Sequence, residues 1–145
     1  MLEVCGLKGE FEVFLYDKKG MLKDYRKVKN LTTNAGFTGV CEAMGLGITA
    51  AFTYCAIGTG TITPDPGDST LEAETARVAG GFTQVSTKVW SNAATFGAGT
   101  GTGAITESGL FNDASTGTLL CHQTFPVINK GASDTLVVTW QYTLS

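Results

Sequence analysis

The fold is decided by the segment Thr135–Leu144, which reads TLVVTWQYTL and contains no charged residue. Its β-branched and aromatic residues are the types that are enriched in β-strands. An apolar run of this length without a charged interruption is typical of a strand whose two faces are both covered. We therefore predict that this segment forms a central strand of a sheet.

Shorter strand-like segments precede it, and turn signals separate them roughly every 8–15 residues. In one predicted hairpin, Phe11, Val13 and Leu15 alternate with polar residues, and Gly20 can adopt the left-handed conformation of a tight turn. There are about eight such segments, without the alternation of strands and helices that indicates a parallel sheet. This pattern predicts an all-β fold, a two-sheet antiparallel sandwich or jelly roll, formed by residues 1–145 as a single domain.

One segment has the period of a helix instead. Thr33 or Asn34 can cap its start, and Gly45 or Gly47 can end it. Its apolar residues recur at the spacing of one helix face and are predicted to face the core. These residues are Phe37, Val40, Cys41 and Met44. We predict one short helix near residues 34–45.

Composition excludes several functional classes. The net charge is −3, and the only basic cluster, KDYRKVKN at residues 23–30, is interpreted as a solvated strand face, so no nucleic-acid partner is predicted. No segment is apolar and long enough to predict a membrane partner, and the first residues lack the features of a signal peptide. The four cysteines match no zinc-binding spacing and are interpreted as free thiols.

Glu107 is the carboxylate that most invites a functional interpretation, because it lies between apolar residues in AITESGLFN. A catalytic carboxylate needs a second acid, a histidine or a metal nearby, and in the sequence only Asp113 is close. A buried charge without a partner costs several kcal/mol. We therefore predict that Glu107 pairs with a buried cation, for which Arg77 is the best candidate, or caps backbone amides.

The remaining candidates for chemistry are interpreted as structural. His122 follows Cys121, and neighbouring residues of a strand point to opposite faces, so the two cannot form a catalytic dyad. Asp65 and Asp68 lie in PDPGDST, which lacks the pattern of an EF-hand, and are predicted to cap the loop rather than form a weak calcium site. No catalytic residue, metal ligand or cofactor is predicted, and we expect that the protein is not an enzyme.

Four stretches, in order along most of the chain, resemble small structural proteins of tailed bacteriophages and prophages. They are KNLTTNAGF (residues 29–37), YCAIGTGTITPDPGDSTLEAETAR (54–77), GAITESGLFN (103–112) and FPVINKGASDTLVVTWQYTLS (125–145). Such sequences are similar to jelly-roll head cement or decoration proteins, and also to proteins known only as tail components. The family has no enzymatic motif that could be transferred to this chain.

The resemblance implies a virion protein made in the bacterial cytoplasm that binds the outer capsid surface. As a cement protein it would contact the major capsid protein, stabilise contacts between capsid subunits and form a homodimer or homotrimer. The alternative is a tail or tail-fibre component that binds a host surface glycan or a tail partner. A glycosidase would require two carboxylates about 5–10 Å apart, for which only Glu74, Glu107 and Asp113 are candidates.

The candidate contacts with a partner lie at the N-terminus and in loops, because termini become ordered only when they are tied down and loops often carry function. Residues 1–8 are predicted to form an extended arm that reaches a neighbouring subunit. The predicted partner-binding residues are Leu2 and Val4 in this arm, Lys18 and Lys19 at the hairpin tip, Asp65 and Asp68 in the proline-rich loop, and Thr100 in the glycine-rich loop.

Overall fold

The computed structural model describes residues 6–145, which form ten β-strands and one α-helix. The strands are β1 (Leu7–Tyr16), β2 (Leu22–Lys29), β3 (Leu31–Thr32), β4 (Tyr54–Gly58), β5 (Glu74–Ala79), β6 (Gly81–Ser86), β7 (Val89–Phe96), β8 (Gly103–Phe111), β9 (Leu119–Lys130) and β10 (Thr135–Leu144). The helix α1 (Asn34–Gly45) lies between β3 and β4, at the predicted position.

The strands form two antiparallel sheets of five strands that pack as a sandwich, so the predicted fold class is confirmed. Sheet A has the order β2-β1-β10-β7-β6, and sheet B has the order β3-β9-β8-β4-β5. The central place of β10 in sheet A confirms the predicted position, but only one face of the strand is buried, because its alternate residues are partly exposed. The two strands beyond the predicted eight are β3, which is too short to give a pattern, and β5, whose charged residues mask its alternation.

Both sheets contribute to one hydrophobic core between them. At its centre the rings of Phe11 and Trp140 lie 4.1 Å apart, and the Trp140 indole donates a hydrogen bond to Cys55 Sγ at 3.4 Å. Burial raises the pKa of Cys55 to about 11 and that of Cys121 to about 12. Both are free, protonated thiols that act as small apolar side chains, as the sequence predicts.

Two buried glycines let α1 pack closely, and Gly36 brings it against β9. The Thr33 side chain caps the helix by accepting the Gly36 N–H at 2.9 Å, which confirms one of the two predicted caps. Gly36 and Gly39 are the buried residues of the helix, and a Cβ atom on Gly36 would overlap the carbonyl oxygen of Leu120. Helix and strand therefore approach more closely than any larger side chain would permit.

The prediction of which helix face is buried is wrong for most of the stripe. Val40 packs against the core, whereas Phe37, Cys41 and Met44 are exposed, Met44 to 82%. Because the glycine face makes the contact with β9, the apolar stripe is rotated toward solvent.

The predicted N-terminal arm falls partly outside the described residues. Leu7 and Lys8 belong to β1 and pair with β10, so for these two residues the prediction of an arm is wrong. Leu2 and Val4 lie outside the described residues.

Candidate functional site

The loop of residues 59–73 covers part of the outer face of sheet B. It contains Pro64 and Pro66, which prevent it from adding a regular strand. Near its end Leu71 packs with Phe111 and other apolar residues into a second, smaller hydrophobic cluster. This part of sheet B is thus covered on both faces. Beyond the apolar cluster, the loop is held to the sheet by polar contacts.

Glu107 supplies that attachment from the middle of β8. Its side chain is fully buried and accepts backbone N–H groups from both ends of the loop of residues 59–73. The distances are 3.0 Å from Gly60, 3.1 Å from Glu72 and 2.8 Å from Ala73. One carboxylate therefore satisfies the buried amide of Gly60 and the partly buried amides of Glu72 and Ala73.

His122, on the neighbouring strand β9, lies between two carboxylates. Its Nε2 is 2.8 Å from Glu107 Oε2, and its Nδ1 is 3.0 Å from Asp68 Oδ2. Ionised carboxylates only accept hydrogen bonds, so this arrangement requires a hydrogen on both ring nitrogens and hence an imidazolium. We refer to Glu107, His122 and Asp68 as the loop clamp.

The pKa values in the loop clamp reflect these hydrogen bonds. Burial by itself lowers the pKa of His122, but its bonds to Glu107 and Asp68 outweigh this effect and hold the pKa above the usual value. Burial by itself raises the pKa of Glu107, but the bonds from His122 and the backbone amides outweigh it and hold the pKa below the usual value. The charged form of each group is therefore the favoured one in the folded protein.

The predicted ion pair between Arg77 and Glu107 is wrong. Arg77 lies on β5, which β4 separates from β8, and its Nη2 is 2.7 Å from the Glu74 carboxylate. Its guanidinium also lies 3.5 Å from the centroid of the Phe111 ring. The alternative prediction, that Glu107 caps backbone amides, is confirmed, and the cation beside it is His122.

The loop clamp fastens the loop through hydrogen bonds at both nitrogens of His122, one to Glu107 and one to Asp68. A shallow cleft of about 330 Å³ borders His122 and Glu72, but Glu107 itself is fully buried. Within residues 6–145 no three His, Cys, Asp or Glu side chains are grouped to hold a metal ion.

The other predicted loop residues have structural roles or lie at one end of the sandwich. Asp65 and Asp68 cap their loop, as predicted, since the Gly67 N–H bonds to Asp65 and the Asp65 N–H bonds to Asp68. Asp68 is also engaged in the loop clamp, which leaves it poorly placed to contact a partner. The exposed Lys18 borders an open cleft of about 610 Å³.

Two residues complete the set of predicted partner contacts. Lys19 is exposed in the turn between β1 and β2. Thr100 is half-buried in the loop between β7 and β8, whose Ala98 lines the same cleft as Lys18. The structure thus gathers the hairpin tip and the glycine-rich loop at one end of the molecule, whereas the proline-rich loop lies over sheet B.

An uncovered apolar surface that the sequence does not predict lies on α1 and the loop that follows it. We call this surface the helix patch, defined by Phe37, Met44, Leu46 and Ile48, all of which are exposed. The sequence signal for Phe37 and Met44 is the apolar stripe, which by itself predicts a face turned to the core. The stripe faces solvent because the two glycines form the packed face of the helix. Their low helix propensity gives no sign of this packing role.

A second uncovered surface lies at β6, an edge strand of sheet A in which every residue is exposed. Phe82 is 62% exposed, and its ring lies 6.2 Å from that of Trp90, which in turn stacks at 5.1 Å on Tyr142. This row of aromatic rings runs from the core to solvent. We call Phe82 and Trp90 the edge patch.

Comparison with known proteins adds no identification: no protein-family model, curated protein or solved structure matches this chain. The class of protein is therefore defined by its fold, an all-β two-sheet sandwich with a charged clamp beneath a surface loop. No helix in the described part of the chain has the length and apolar character needed to cross a membrane.

Proposed function

We propose that this chain is a structural protein of a tailed-bacteriophage virion that binds the outer capsid surface as a cement protein. The observation that carries the proposal is the helix patch, where large apolar side chains remain uncovered beside a well-filled core. Uncovered apolar surfaces of this kind mark sites of protein–protein interaction. The resemblance of four sequence stretches to phage structural proteins supplies the partner, the major capsid protein.

The architecture suits such a role physically. The core is continuous, and the longest loop over sheet B is fastened by the loop clamp, so little of the structure needs to become ordered on binding. More of the contact free energy then remains as affinity. Copies that are bound at repeated positions of a shell, and that also contact one another, gain further through avidity.

The alternative is a tail or tail-fibre component that binds a host glycan or a tail partner. Tyr25 favours it, because this exposed aromatic ring lies beside Phe14, with 5.1 Å between ring centroids, and donates a hydrogen bond to Glu12. An aromatic face next to a carboxylate can stack on a sugar ring and accept its hydroxyl groups.

The test adds purified protein to expanded, cement-free capsids of the phage or prophage that encodes it. We expect saturable, stoichiometric binding that Met44→Glu weakens at least tenfold, because this change places a charge in the helix patch. Val127→Glu is the matched control, since Val127 is also exposed but lies on β9, outside the helix patch and the predicted partner-binding residues. Binding to cells or glycans without binding to capsids would favour the alternative, and binding to none of them would overturn both.

A further inference from the structure

We propose that β6 pairs with β6 of a second copy of this chain in an antiparallel arrangement, which joins two A sheets into one continuous sheet. In the described structure β6 is hydrogen-bonded only to β7. A strand that is paired on one side presents unpaired N–H and C=O groups on the other side. The proposal concerns the dimer interface and does not depend on the proposed role in a virion.

The other sheet edges are protected, and β6 is not. The β2 edge carries four basic residues, so a second β2 would bring like charges together. The β3 strand has only two residues, and β5 carries the Glu74–Arg77 ion pair. In contrast, β6 reads GFTQVS, with no charge and no proline to prevent pairing between edges, and its one irregularity lies between Gln84 and Ser86, at the end of the strand.

Charge and symmetry favour a second copy in the antiparallel direction. Lys88 is the charged residue nearest to β6, in the turn after Ser86. Antiparallel pairing about a two-fold axis places the two copies of Lys88 at opposite ends of the contact, whereas parallel pairing would place them side by side. An isologous contact of this type closes after two copies and leaves no unpaired β6 edge.

The register of β6 leaves a regular segment for such pairing. Gly81 to Gln84 pair in order with β7, and the irregularity lies between Gln84 and Ser86, at the end of the strand. The side chain of Phe82 lies opposite that of the inward-facing Asn92, on the side of sheet A that faces the core. Two paired copies would therefore bring their edge patches together beneath the joined sheet.

The contact would be small. Fully buried aromatic side chains cover roughly 150–250 Å² each, and Phe82 is 62% exposed. Phe82 and the exposed part of Trp90, counted in both copies, would bury less than the roughly 1,200 Å² at which standard specific interfaces begin. We therefore expect a dimer that dissociates on dilution rather than an obligate one.

The experiment is sedimentation velocity of the full chain over a range of concentrations. The wild-type protein should pass from monomer to dimer, and Thr83→Lys should weaken dimerisation roughly tenfold or more, because two lysines then meet near the two-fold axis. Thr95→Lys is the matched control, since Thr95 is exposed on β7, away from the edge, and should leave dimerisation unchanged.

Mixing separates a specific edge contact from a general effect of the substitution. Thr83→Glu alone should also be monomeric, and an equimolar mixture of Thr83→Lys and Thr83→Glu should recover a heterodimer through opposite charges. A wild-type protein that stays monomeric at its highest working concentration would overturn the proposal. So would a dimer that Thr83→Lys leaves intact, and neither result would affect the capsid-binding test.

Discussion

The outer faces of the two sheets present similar residues to very different surroundings. Glu12 on β1 and Glu107 on β8 both point outward from their sheets. Glu12 stays near solvent and accepts a hydrogen bond from Tyr25, whereas Glu107 is fully buried beneath a loop and accepts three backbone amides and His122. The difference shows the cost of covering a sheet with an irregular loop, whose backbone N–H groups have no strand partner to bond. One buried carboxylate can accept several of these N–H groups at once.

The largest expected effect is at the covered face. Glu107→Ala removes the acceptor for one buried and two partly buried amides and leaves the buried His122 with one carboxylate, so we expect the free energy of unfolding to fall by about 3–5 kcal/mol. Urea denaturation measures this loss. Limited proteolysis should also cut the loop of residues 59–73 in the variant before it cuts the wild-type protein. A variant as stable as wild type would mean that the loop is held without the clamp.

A second prediction concerns the glycine contact that holds α1 on the same sheet. Gly36→Ala improves helix propensity by about 1 kcal/mol. Its Cβ would nevertheless overlap the backbone of Leu120, so we expect a net loss of about 1–3 kcal/mol. Gly45→Ala is the matched control, because a Cβ there meets open space and should leave stability unchanged or slightly raised. Equal effects at both positions would contradict the close approach of helix and strand.

A smaller effect follows from the titration of the loop clamp. The folded pKa of His122 lies above its ordinary value of 6.5, so its contribution is complete below that value and is lost as the pH rises through the folded pKa. The folded pKa of Glu107 is lowered from 4.5, so its contribution is complete above that value and is lost as the pH falls through the folded pKa.

Stability should therefore decline as the pH rises above 6.5 and through the folded pKa of His122, and denaturation midpoints measured upward from pH 6.5 follow the decline. His122→Gln can hydrogen-bond but cannot become an imidazolium, so it should flatten this decline while leaving the acid loss at Glu107 in place. The same decline above pH 6.5 in wild type and His122→Gln would assign it to other groups.

The covered face also marks the limit of what the sequence could predict. Local patterns were sufficient for the sandwich, the central position of β10 and the helix bounds. They also indicated that the Glu107 carboxylate has a cation or backbone amides as partners. They could not identify His122 as its partner, because the register between β8 and β9 brings His122 beside Glu107. The covering loop then brings Asp68, which is 54 residues from His122 in the chain, to the other ring nitrogen.

The two errors at Arg77 and α1 have the same origin. Arg77 was the nearest cation with a plausible pattern, but sheet order places β4 between it and Glu107. The apolar stripe of α1 had a clear period, but the backbone contact at Gly36 determined its direction. Periodicity specifies which residues share a face, whereas the packing partner determines where that face points.

The smallest expected effect is at Glu12, on the outer face of sheet A. Glu12→Ala removes the acceptor of the Tyr25 hydroxyl, but both side chains can return to water, so the urea midpoint should stay close to that of wild type. A loss comparable to that of Glu107→Ala would mean that sheet A is covered in solution, for example by another copy of the chain. Because the two substitutions are chemically identical and both lie on outward faces, their difference measures the contribution of burial beneath the loop, separated from the contribution of a glutamate on a strand.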